Sequence, residues 1–438
     1  MRRYPLALSL ALALATAAAA QTALVQVPPA LPQAPAATPS LTRPQAEQLA
    51  LRNNPQVSIS QLLARAQHQV VRESRSAQLP QFTGSLTAEA AKTGSRIASG
   101  SLSDSRLFQH AGGGVLLSQL ITDFGRTSNL IASSRLEERA QQANAVATSQ
   151  DIVLVADQAF YDALQAQSLL QVARQTVATR QATQGQVNQL TQNNLRSTLD
   201  LSFANVDLSQ AQLLELDAEN SAEAAMATLD EVLGLDRRVT YTLIDEPGEG
   251  LPAPPVEVDG LIAQALLQRP DLAALDLSRR SQEKFSQAQR DQRLPSIRAL
   301  GTVGAAPVRP GQYFTSSWDG AVGADVSIPL FNGFLYSAQA QEARLRAQVA
   351  GEQARQLRDR IVRDVRTAWL QANNAYRRIS VTRQLQEQAN QGLLLAQTRY
   401  SLGLASMVEL SQAQLQQTQA AIGHTNAEYQ YRLAAATL

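Results

Sequence analysis

From Gln81 to Ala90 polar and apolar residues alternate without a break, Gln81, Thr83, Ser85, Thr87 and Glu89 against Phe82, Gly84, Leu86, Ala88 and Ala90. A period of two puts each set on one face of a β-strand. The alternation returns over 318–328, where Trp318, Val322, Ala324, Val326 and Ile328 share a face opposed by Asp319, Asp325 and Ser327. It is less clean over 296–303, because Leu300 falls among the polar positions, and weakest over 107–121. Elsewhere the period is that of a helix. Leu357, Ile361, Val365, Ala368, Ala372, Ala375 and Ile379 are spaced by fours and threes, a coiled-coil stripe. No proline lies between Pro80 and Pro247 or after Pro329. Interior proline costs a helix about 3 kcal/mol, so both stretches are free to be continuous. The first long helix is expected from about Arg126 to Gln192. Roughly 66 residues span about 100 Å, too long to fold back within a small domain, so this helix must be a shaft.

The same elements come twice. Pro55 and Pro270 are offset by 215 (270 − 55), as are Leu79-Pro80 and Leu294-Pro295. Asp123 and Asn332, Phe160 and Trp369, Ser197 and Ser406, and Asp200 and Glu409 are all offset by 209 (332 − 123). A constant offset over several pairs marks a tandem duplication. Each half is expected to run as a shorter helix (about 45–79 and 258–294), two strands, a very long helix, a turn and a closing helix. The first repeat is placed at 45–246 and the second at 258–438, joined by a Pro-rich linker at 247–257.

The N-terminus reads as an export signal. Arg2 and Arg3 precede an apolar run, Leu6 to Ala15, broken only by Ser9, and Ala18-Ala19-Ala20 offers small residues for cleavage before Gln21. Residues 1–20 are therefore expected to be a signal peptide and 21–44 a Pro-rich lead-in. The remaining chain has no run of 18 apolar residues, so any membrane entry must be through a closed barrel. Each alternating segment has the roughly 9–11 residues of a tilted membrane strand. Taken alone, the strands favour an ordinary sheet with one buried face; the export signal and the shafts reverse that preference. Four strands cannot close a barrel, for which about eight is the minimum, and an open edge cannot sit in lipid. Several chains must then share one barrel, their number left open by this argument.

Composition narrows the function. Aromatic residues make up 5% of the 438, too few for a large enzyme core but suited to long packed helices. The formal net charge of +1 gives no footprint for nucleic acid, and the absence of cysteine excludes thiol chemistry and Cys-based metal sites. His68, His110 and His424 are far apart, and no metal spacing, nucleophile elbow or phosphate loop occurs. Gly112-Gly113-Gly114 precedes a strand-like segment without a nucleotide-binding pattern and is expected to give backbone freedom beside or within the barrel wall. Neither catalysis nor a cofactor is expected. The competing reading is a periplasmic coiled-coil adaptor or structural protein without a membrane barrel, which would not need two strand pairs of membrane length.

The strand-to-helix segments Leu120-Ile121-Thr122-Asp123-Phe124-Gly125-Arg126 and Pro329-Leu330-Phe331-Asn332-Gly333, the two Leu-Pro pairs, and Arg399-Tyr400-Ser401-Leu402-Gly403-Leu404-Ala405-Ser406 resemble those of the TolC-type outer-membrane efflux protein family. The resemblance covers about 45–438. It implies a mainly α chain with a small β part: a duplicated long-helix coiled-coil barrel and a transmembrane β-barrel shared between protomers. It further implies a homotrimer in outer-membrane lipid, extending into the periplasm. A periplasmic adaptor (membrane fusion protein) and an inner-membrane pump would be its partners in a tripartite efflux or type I secretion system. Drugs, metals, peptides and proteins all remain open as cargo.

At the junctions, Gly125 and Gly333 suit tight turns, and Asp123 and Asn332 suit helix N-caps. At the tip, Gly403 and its counterpart Asn194 suit left-handed turns. By resemblance, Tyr400 and Asp200 match a gate latch, and Glu409 an acidic ring at the pore mouth. Asn194, Leu195, Gly403 and Leu404 fall where the adaptor would touch. A second latch of the family reads Ala405 and Leu199 here and is absent, and a second acidic ring reads Gln412. The competing reading of Tyr400, Asp200 and Glu409 is solvated polar residues beside a turn.

Overall fold

The computed structural model describes residues 40–90, 96–97, 105–106, 110–235, 241–245, 251–307, 312–315 and 317–438. The signal peptide and residues 21–39 of the lead-in lie outside them, as do 107–109 of the weakest strand. In chain order the elements are β1 (Ser40–Leu41), α1 (Arg43–Asn53), α2 (Pro55–Ser76), β2 (Gln81–Glu89), β3 (Arg96–Ile97), β4 (Ser105–Arg106), β5 (His110–Thr122), α3 (Arg126–Gln192), α4 (Thr198–Val232), β6 (Thr242–Leu243), α5 (Val258–Gln268), α6 (Pro270–Asp291), β7 (Ser296–Ala305), β8 (Asp319–Ser327), α7 (Leu335–Ser401) and α8 (Met407–Thr437). Corresponding helices of the two halves match in length. α3 and α7 have 67 residues each, and α2 and α6 have 22 each.

Two boundaries differ from expectation. The shorter helix of each repeat is two helices, broken at Asn54 and at Arg269. Each of these residues precedes a proline and is extended, with ψ of 125° and 120°. The proline ring excludes the helical region for the residue before it. The lead-in also ends earlier than Pro44. Ser40–Leu41 pairs in parallel with Thr242–Leu243, and Thr42 and Gln45 form a capping box at the start of α1.

α3 packs along α2 and α6 toward the sheet and along α4 and α8 toward its other end; α7 packs along α6 and then α8. α4 thus continues the line of α2. At the joint, Asn54 Nδ2 donates to the Val232 carbonyl (3.1 Å). Gly234, at φ +66°, lies so close to Asn53 that a Cβ would meet its main chain at 2.8 Å. A core gathers here from Leu41, Ala46, Ala50, Phe160, Leu229, Leu233 and Leu243. The stripe of α7 turns inward as its period requires. Ile361, Ala368, Ala372 and Ile379 are buried, while Leu357, Val365 and Ala375 are half-buried. The described part of the inter-repeat linker, 251–257, is strapped to the helices. Trp369 Nε1 donates to the Pro255 carbonyl (2.7 Å), and the Tyr431 hydroxyl donates to the Pro252 carbonyl. Among the described residues no helix is long and apolar enough to cross a membrane.

Candidate functional site

Two regions carry the chemistry, a sheet at one end of the shaft and paired turns at the other. The sheet is antiparallel in the order β2-β5-β7-β8, so its central seam joins the two repeats. Residues directly opposite one another share a face. The register Phe82↔Leu117↔Gly301↔Val322 and Gly84↔Val115↔Val303↔Gly320 therefore runs one apolar face across all four strands. Leu86 and Val322 on that face are 93% and 92% exposed, and Phe82 and Val326 are exposed as well. The other face carries Thr83, Ser85, Thr87, Thr302, Arg298, Asp319 and Asp325, interrupted by Leu116 and Leu300. The outer edges of β2 and β8 have no partner strand among the described residues. Gly112, Gly113 and Gly114 lie inside β5; there the missing Cβ gives room, since one on Gly114 would meet the Val303 carbonyl oxygen at 2.9 Å.

Each strand passes into its long helix through two left-handed residues, Phe124-Gly125 (φ 54° and 113°) and Gly333-Phe334 (φ 63° and 67°). The Asp123 carboxylate accepts from the Thr127 amide (2.8 Å) and hydroxyl, capping α3. Asn332 does not cap with its side chain. Phe334 holds the cap position of α7, and the Asn332 carbonyl accepts from the Leu335 amide (3.3 Å).

The two tips are built alike, hydrogen bond for hydrogen bond. After α3, the Leu195 amide donates to the Leu190 carbonyl and the Asn194 amide to the Thr191 carbonyl. After α7, Leu404 donates to Arg399 and Gly403 to Tyr400. This is the Schellman pattern, with Asn194 (φ 57°) and Gly403 (φ 75°) at its left-handed position. Ser197 and Ser406 then cap α4 and α8, accepting from the amides of Asp200 and Glu409. Leu195 and Leu404 project into solvent.

Between the tips lies a contact that no motif announces. The Arg196 guanidinium sits 4.4 Å from the Tyr400 ring centroid and donates to the Tyr400 carbonyl (2.7 Å). The Tyr400 ring is 2% exposed, and its hydroxyl has no hydrogen-bond partner among the described residues. Burial pushes the Tyr400 hydroxyl up from its ordinary pKa; the Arg196 charge opposes that shift and the Asp200 carboxylate adds to it. Asp200 thus lies within electrostatic reach of Tyr400, and Arg196 is the residue in direct contact. Glu409 is half-buried and pairs with Arg399 (3.4 Å). Higher up, Asp207 of α4 accepts from the Ser411 hydroxyl of α8, and its charge opposes the lowering of the buried Arg180 guanidinium's pKa by desolvation.

The family model for outer membrane efflux proteins matches residues 46–235 and 261–438. The outer membrane efflux protein BepC of Brucella suis biovar 1 (strain 1330) is 23% identical over 337 residues, 76% of this chain and 70% of that protein. A membrane protein from Pseudomonas aeruginosa superposes with a TM-score of 0.78 at 20% identity, covering 90% of this chain and 92% of that one. CusC, whose structures concern transmembrane channel formation, gives 0.79 at 19% identity, with 90% of each chain covered. The CmeC outer membrane channel of Campylobacter jejuni gives 0.79 at 17%, with 90% of this chain and 84% of that one covered. At these identities the solved structures establish a shared fold.

Proposed function

The chain belongs to the outer membrane efflux protein family, and we propose that three copies of it close one twelve-stranded barrel over a helical duct whose tip meets a periplasmic adaptor and an inner-membrane pump. The protein is an outer-membrane channel for tripartite efflux, extends into the periplasm, and belongs to a transport family rather than an enzyme family. The observation that carries the shared barrel is the sheet. Its apolar face is continuous over four strands and almost fully exposed at Leu86 and Val322, as befits contact with hydrocarbon. Yet among the described residues β2 and β8 leave two unpaired edges. Unpaired backbone groups in lipid cost several kcal/mol each, so β8 of one copy pairs with β2 of the next. At the other end, Leu195 and Leu404 give the tip an apolar surface for the adaptor. Tyr400, Asp200 and Arg196 hold the tip closed, and Glu409 faces the mouth.

The test is fractionation and mass. The mature protein is expected in outer membranes, soluble only with detergent, and at three copies per particle by native mass measurement. A monodisperse monomer without detergent would refute the barrel; a tetramer would refute only the count.

A further inference from the structure

α6 and α7 pack side by side below the strands, and between them runs a groove of ≈ 640 Å³. Among the described residues, Arg279, Arg290, Arg293 and Arg344 line it against a single carboxylate, Glu283. Arg279 is already committed, to Asp276 (2.9 Å) and to Glu283 (2.5 Å). Arg290 reaches only Asp291, at 3.6 Å. Arg293 and Arg344 are exposed, and neither side chain has a hydrogen bond or ion pair among the described residues. The groove therefore holds a surplus of positive charge that the chain does not neutralise.

One contact sets the heights. A Cβ on Gly351 of α7 would lie 3.7 Å from Arg279 Cδ of α6, so these two residues are roughly level. The helices run in opposite directions, since α6 leads into β7 and α7 leaves β8. Counted toward the sheet at ~1.5 Å per residue, Arg344 (351 − 344 = 7) and Arg290 (290 − 279 = 11) stand about 10 Å and 16 Å above that level. Arg293 follows just past the end of α6, and Phe334 (351 − 334 = 17) stands about 25 Å up. The groove thus rises into an apolar cluster. Ser337, part of its lining, donates to the Phe334 carbonyl (2.6 Å). The Phe331 and Phe334 rings meet edge to face with centroids 5.6 Å apart. Both are exposed, as are Ile328 and Leu330, where the apolar face of β8 ends. The first repeat lacks this combination. At the repeat offsets of 215 and 209, Gln78 stands in place of Arg293 and Thr122 in place of Phe331, so the shared fold does not require it.

We infer that this groove holds the headgroup of an anionic phospholipid from the periplasmic leaflet of the outer membrane. Its phosphate sits among Arg290, Arg293 and Arg344, and its acyl chains lie over Phe331 and Phe334. Guanidinium groups match phosphate in charge and in fork geometry, and basic pockets at the membrane surface take anionic headgroups. Aromatic rings favour the level where headgroup meets hydrocarbon. A soluble anion would satisfy the arginines and leave the apolar cluster in water, which singles out the lipid. The inference rests on the outer-membrane placement and not on the number of copies.

The test titrates the delipidated protein, in neutral detergent, with phosphatidylglycerol or phosphatidylcholine and reads retained lipid by native mass spectrometry. The parent is expected to keep phosphatidylglycerol several-fold more readily, and excess inorganic phosphate should not strip it. Arg293→Gln with Arg344→Gln should lower that preference several-fold and leave the assembled mass unchanged. Arg358→Gln with Arg366→Gln removes the same charge from α7 outside the groove and should leave the preference intact. Phe331→Ser should weaken retention of both lipids. A parent that binds the two lipids alike overturns the inference, whether or not any variant folds. Equal losses from the two arginine pairs would reduce the effect to overall charge, and displacement by inorganic phosphate would make the groove a free-anion site; either result overturns it. A parent that stays soluble and monodisperse without detergent would instead overturn the membrane placement beneath it.

Discussion

Arg196 joins the two repeats through contacts of two kinds, a charged hydrogen bond to the Tyr400 carbonyl and a cation over the Tyr400 ring. At a partly exposed site these contribute on the order of 1–2 kcal/mol and ~0.5–1 kcal/mol. In the proposed three-copy ring such contacts would bias a closed mouth, yet be weak enough for a docking partner to overcome. Tyr400→Phe with Asp200→Ala is expected to raise single-channel conductance in planar bilayers and leave assembly intact. Arg196→Ala should raise it further, because phenylalanine keeps the ring face and carbonyl that Arg196 uses. A variant of Arg196 that conducts like the parent would reduce the contact to turn geometry. At the second tip, Arg399 sets its charge against Glu409, the residue proposed to face the mouth. Arg399→Gln should therefore strengthen cation preference and Glu409→Gln weaken it, read as opposite shifts in reversal potential across a salt gradient. Tyr400, Asp200 and Glu409 stood out in the sequence through family resemblance, and Asp200 and Glu409 also through the repeat offset. Arg196 did not, because its partner is 204 residues away and one of its two contacts is to a carbonyl, which no side-chain pattern encodes.

Among the elements, the strands were the most legible. Strict alternation located β2 and β8 to within a residue or two, since side chains of opposite character must leave opposite faces. β7, with Leu300 on its polar face, was blurred by the departure that the register confirms. The breaks at Asn54 and Arg269 were harder to read. A proline fits the first turn of a helix as well as it ends the one before, so an unbroken apolar pattern hides the kink. Two predictions belong here. Leu86→Arg or Val322→Arg puts a charge on the exposed apolar face and is expected to cost ~2–4 kcal/mol near the bilayer centre. The outer-membrane yield should fall, whereas Thr87→Arg on the other face should be tolerated. Gly234→Ala places a Cβ against the Asn53 main chain at a positive φ. It should cost more than the ~1 kcal/mol of left-handed strain alone, and a lower thermal midpoint would show it. An unchanged midpoint would mean that the joint between α4 and α2 yields freely.

For the whole molecule, the assembly of several chains followed from counting strands. The number three came only from family resemblance, because no local pattern fixes the angle between protomers. The seam β5-β7 has a consequence of another sort, for the order of events during biogenesis. Gly113 pairs with Ala305, so the middle of the sheet waits for a segment nearly two hundred residues later in the chain. Until that segment arrives, β2 and β5 form a two-stranded ribbon, which is marginal in water. Closing so long a loop is slow. Until that seam closes, the exported chain is expected to keep its apolar strand faces without their central pairing. A chain truncated after Gln292 keeps α2 through α6 yet lacks β7 and β8. It is expected to be exported, never to insert, and to be degraded faster than one truncated after the final strand at Ser327, as pulse-chase labelling would measure.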